Sequence, residues 1–124
     1  MAKFTYIAQM ICPFGAVQQV IEMTEDADLS LDIAVTAATD VQRSVAFPYA
    51  NIKAIALYCD VAVTIETNSP SSPSQTITLA AGVPNLWIYG GPGTNPITAN
   101  VTTIYLTAAA AGTLKIRVLY DPTP

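Results

Sequence analysis

Apolar side chains recur at every second position in short stretches along this chain, and none of the longer segments carries the 3.6-residue period of an amphipathic helix. Phe4, Tyr6, Ala8 and Met10 share one side of such a repeat, and Leu29, Leu31, Ile33 and Val35 share another. Val61, Val63 and Ile65 follow the same rule, as do Leu114, Ile116, Val118 and Tyr120. A two-residue period suits a strand with one face buried and one face wet. Ile52 to Cys59, Thr76 to Ala80, Leu86 to Tyr89 and Val101 to Thr107 add segments of strand length, and Val17 to Thr24 a less regular one.

The punctuation agrees. Ser69-Pro70-Ser71-Ser72-Pro73-Ser74 is a loop, Gly82-Val83-Pro84-Asn85 is a turn, and Gly90 to Pro96 holds too much glycine and proline to continue a strand. Ala108 to Ala111 favours helix, but so short a run between two strand patterns, closed by Gly112, is a connection. About nine short strands recurring every ten residues or so predict an all-β fold, an antiparallel β-sandwich or jelly roll. With 124 residues, no internal repeat and no linker, one domain spans residues 1–124. A folded monomer of this mass exposes about 6,400 Å², roughly a third of its unfolded surface, so the core requires neither disulfide nor metal.

Composition excludes several kinds of chemistry. The chain has no histidine, which removes imidazole-based triads and His-ligated metals. Five basic residues against nine acidic ones leave a net charge of −4, too few clustered cations for a nucleic-acid surface. Cys12 and Cys59 lack the spacing of a zinc or thioredoxin-type motif. A bridge between them is one reading. Each lies in an apolar stretch where a thiol packs as a small hydrophobe, so free, buried cysteines are expected instead.

The first residues imitate a signal peptide, with Lys3 before an apolar stretch. Gln9 interrupts that stretch, Pro13 follows it and no small-residue cleavage pattern closes it, so a strand is expected. Residues 67–114 contain no charge, yet they hold five prolines and five glycines and no apolar run long enough to span a bilayer, so no membrane association is expected.

Six of the nine acids, Glu22, Glu25, Asp26, Asp28, Asp32 and Asp40, crowd into residues 22–40. The calcium-loop pattern is absent there, and a solvated acidic turn at 24–28 is the reading the spacing supports. The Gly90 to Gly93 run lacks the Lys-Ser/Thr tail of a phosphate loop. Trp87 and Tyr89, with Tyr105 and Tyr120 on other strands, are expected to be core or interface anchors, with an aromatic sugar platform as the alternative. No nucleophile, base and orienting group can be assigned together, so no catalytic residue, cofactor or metal site is expected.

Only 11% of the residues are charged. The solvent-facing positions of a free sandwich commonly carry Lys and Glu, whereas here they are Thr, Ser, Gln and Ala. Interface cores are depleted in charge in this way, and uncovered strand edges without gatekeeping charges invite pairing, so a closed homo-oligomer is expected.

The segments Asp60 to Ser69, Thr76 to Leu79, Leu86 to Tyr89 and Val101 to Leu106 resemble small structural proteins of tailed-bacteriophage virions, in particular capsid decoration, or cement, proteins. That resemblance covers about half the chain. It implies a sandwich or jelly-roll subunit, commonly trimeric, on the outside of the head, clamping neighbouring copies of the major capsid protein. It further implies assembly in the host cytoplasm, where both cysteines stay reduced. A tail, neck or fibre-base subunit is a second expectation, and a carbohydrate- or receptor-binding module using Trp87, Tyr89 and the 90–96 loop a third.

Overall fold

The structure, a computed structural model, describes residues 2–47 and 51–122. These form ten strands and no α-helix: β1 (Ala2–Cys12), β2 (Gly15–Glu25), β3 (Ala27–Val35), β4 (Ala38–Phe47), β5 (Ile52–Cys59), β6 (Val63–Thr67), β7 (Thr76–Leu79), β8 (Asn85–Ile88), β9 (Val101–Ala108) and β10 (Gly112–Tyr120). All pairings are antiparallel. One sheet runs β3-β10-β5-β8 and the other β4-β9-β6-β7, while β1 and β2 pair only with each other.

The all-β, antiparallel sandwich is therefore the fold, with ten strands where the sequence suggests about nine. The additional strand is β4. Its inward positions are Val41, Arg43, Val45 and Phe47, and a guanidinium among them hides the alternation. Its register with β9 also shifts twice, and Asp40 takes a φ of 52°, which further blurs a two-residue period.

The main core lies between the two four-stranded sheets. Leu114, Ile116 and Val118 of β10 and Ile55, Leu57 and Cys59 of β5 face Ile104 and Leu106 of β9 and Val63 and Ile65 of β6, all of them buried. Each such side chain contributes about 1.5–3 kcal/mol by leaving water. Thr67, the buried polar side chain, is satisfied by Gln75: its hydroxyl accepts from the Gln75 amide at 2.8 Å and donates to the Gln75 carbonyl at 3.3 Å.

A second, smaller core occupies the opposite face of the β3-β10-β5-β8 sheet. Leu119 lies in the outward phase of β10, the phase of Lys115 and Arg117, opposite Ala54 and next to Ile88; the register shift follows it, between Leu119 and Tyr120. These three would be bare without the β1–β2 hairpin. Phe4, Tyr6, Ile21 and Met23 cover them, so the root of the hairpin is fastened to the outside of the sandwich.

Candidate functional site

The hairpin continues past the sheet to which its root is fastened. Its register is unbroken from Ala2↔Glu25 to Cys12↔Gly15, and Pro13 and Phe14 form the two-residue turn. Pro13 fixes its own φ near −65°, and Gly15 supplies a φ of 121° that side-chain-bearing residues rarely adopt. The Cys12 thiol donates to the Gly15 carbonyl at 2.7 Å, closing the tip.

The pairing assigns residues to faces. Phe4↔Met23, Tyr6↔Ile21, Ala8↔Gln19 and Met10↔Val17 lie towards the sandwich, and Ile7↔Val20, Gln9↔Gln18 and Ile11↔Ala16 away from it. Only the first two inward pairs have a sheet beneath them. Beyond Ala8 both faces are exposed: Met10 is 72% accessible, Ile11 79%, Val17 74% and Phe14 101%. No charged residue occurs between Lys3 and Glu22. From Ile7 to Cys12, at about 3.4 Å per residue, the overhang is roughly 17 Å, and the turn brings it to about 20 Å. The result is a ribbon with apolar groups on both faces, unpaired edges on both sides and an aromatic ring at its tip. Isolated two-stranded ribbons of this kind are marginal in water.

The root is held tightly. A Cβ on Gly91 would lie 2.9 Å from Cγ2 of Ile88 and 3.2 Å from Cδ1 of Ile21, so the 90–93 turn locks against both sheet and hairpin. Beside the root runs a shallow apolar trough of about 260 Å³. Its floor is Ala54, Ala56, Leu86 and Ile88, and its wall is β1 from Phe4 to Ile7. The floor residues pair as Ala54↔Ile88 and Ala56↔Leu86. Leu86 is 45% exposed, and β8 is an edge strand.

The aromatic residues singled out from the sequence do not converge. Trp87 is half-buried and packs against the main core, as does Tyr120. Tyr89 falls just beyond β8 and is 59% exposed, with Lys53 Nζ 4.9 Å from the ring centroid. Tyr105 is half-buried between the Gln42 and Glu66 positions of the neighbouring strands. Both cysteines are free, but the expected burial holds for Cys59 alone: Cys12 is exposed because it belongs to the overhang. Met10, read as part of a half-buried strand, is bare for the same reason.

Electrostatics add little at the arm. Asp32 and Arg117 form an ion pair at 2.9 Å on the outer face of the β3-β10 pair. Desolvation, then a hydrogen bond and repulsion from Asp40, raise the Glu66 carboxyl above its ordinary value. Among the described residues no three metal-ligating side chains are grouped, and no helix is long and apolar enough to cross a membrane.

Sequence reading missed Phe14, Ile11 and Val17 as candidates. The signal for them was an uncharged window in which both phases of the alternation are apolar, centred on Pro13-Phe14-Gly15. No known protein family, curated protein or solved structure matches the chain.

Proposed function

We propose that this chain is a non-enzymatic virion structural protein, a capsid decoration or cement subunit that stabilises a tailed-phage head by bridging major-capsid subunits. One observation carries the reading: a charge-poor sandwich holds out an uncharged arm, fastened at its root, whose apolar tip is exposed among the described residues. Apolar surface displayed in this way marks a contact with another macromolecule. The strand orders β3-β10-β5-β8 and β4-β9-β6-β7, in which most successive strands change sheet, support the finer reading as a jelly roll. A homo-oligomer, three-fold by the sequence resemblance, fits a subunit with unprotected edges. Its place is the virion, with assembly in the host cytoplasm.

The sugar-platform alternative is disfavoured by Trp87, whose ring packs on the core while Tyr89 sits on the surface. The test is addition of the purified protein to undecorated heads. Saturable binding and a higher rupture temperature are expected, because a ligand of the intact particle stabilises it by mass action. Absence of binding, with the rupture temperature unchanged, would reject the proposal.

A further inference from the structure

We infer that the arm tip of one copy seats in the trough at the root of the arm of a second copy, a head-to-tail contact between identical chains. This contact rests on the same exposed arm as the capsid reading but is tested on the free protein in the absence of heads. Both partners in it are present on each chain. The knob is Phe14, flanked by Met10 and Ile11, and the hole is the exposed Leu86 and half-buried Ala56 beside Ile7 of β1.

Three features select a second copy as the occupant. First, a chain cannot fill its own trough. The trough wall is β1 itself, which runs in unbroken register with β2 from that wall to the turn, so Phe14 is held roughly 20 Å away from Ile7. Second, neither surface carries a charged side chain, so nothing at either end selects a charged partner, and desolvating them on contact leaves no ion unpaired. Third, the trough continues the interface already formed within the chain: Phe4 and Tyr6 pack on Ala54 and Ile88, and Ala56 and Leu86 extend that apolar floor. An arriving strand would also meet the free backbone edge of β8, where no charge opposes pairing. A contact between two different patches closes into a ring when its rotation permits.

The full chain, analysed by sedimentation at micromolar concentration, should be oligomeric. Phe14→Asp and Leu86→Asp should each weaken self-association about 30-fold or more, the effect of losing one interface hot spot. Circular dichroism should be unchanged for Phe14→Asp, whose side chain is fully exposed. Mixed together, the two variants should form a one-to-one dimer, because one retains its tip and the other its trough. Should Leu86→Asp not fold, Leu86→Cys replaces it: mild oxidation with diamide should join Cys12 of one copy to the new cysteine of the next in reducible multimers, which Cys12→Ser abolishes. A monomeric wild-type chain, an oligomer untouched by Phe14→Asp, a mixture that stays monomeric, or crosslinks that persist without Cys12 would each overturn the inference.

Discussion

Replacing Ile88 by alanine tests whether the arm is fastened where the structure places its root. Ile88 is 2% exposed and lies between Ala54, Leu119 and the hairpin residues above them. The substitution removes three carbon groups, at about 0.8 kcal/mol each for transfer. The hairpin is a ribbon that can settle only partly into the gap, because the 90–93 turn lies so close to Ile21 that even a Cβ on Gly91 would come within 3.2 Å of it. A residual cavity therefore adds to the loss, and about 3 kcal/mol is expected. For a chain of this size that is a fall of roughly 10 °C in Tm. Phe14→Ala, at a fully exposed tip, should cost less than about 0.5 kcal/mol. Urea unfolding of both variants at two protein concentrations separates folding from association, since only the latter shifts with concentration. If Ile88→Ala were neutral, or if Phe14→Ala were as costly as Ile88→Ala at the lower concentration, the division into held root and free tip would be wrong.

Further outcomes follow from other residues. Trp87→Ala should cost about 2–3 kcal/mol in urea, below the range for a fully buried ring because Trp87 is only half-buried against the core; a loss under about 0.5 kcal/mol would mean that the ring carries no packing. In the dissociated native protein a thiol reagent should titrate the exposed Cys12 alone, and Cys59 should react only after unfolding. Glu66 has a raised carboxyl pKa, so its ionisation opposes folding. Stability from this group is gained as pH falls through the folded value and lost as pH rises above it. Glu66→Gln should accordingly raise the urea midpoint at pH 7 and leave it nearly unchanged at low pH, whereas equal effects at both pH values would exclude titration as the cause.

Alternation made most of the sandwich legible, because β3, β5, β6, β9 and β10 each bury one phase of their side chains in the main core. β4 escaped because Arg43 occupies an inward position and a left-handed Asp40 interrupts the strand. The arm escaped for a different reason. Its two strands are readable separately, but periodicity says which face of a strand is apolar and not whether anything lies against it. Phe4 and Met10 occupy the same phase of β1, yet one covers Leu119 and the other meets solvent. That difference is tertiary, set by where the sheet ends beneath the ribbon. Trp87 and Tyr89 illustrate the same limit: their spacing puts them on one face only if the strand continues, and β8 stops at Ile88.

Amide hydrogen exchange across residues 7–20 tests most directly whether the chain works through its arm. In dilute, dissociated protein these amides should exchange quickly, since the overhanging ribbon has no sheet beneath it. On concentration into the oligomer, and again on binding to heads, protection should appear at the tip around Met10 to Val17, while amides of β10 remain protected throughout. Tip amides that exchange equally fast in the dilute, oligomeric and head-bound states would contradict the account and move the assembly contact to another surface of the sandwich.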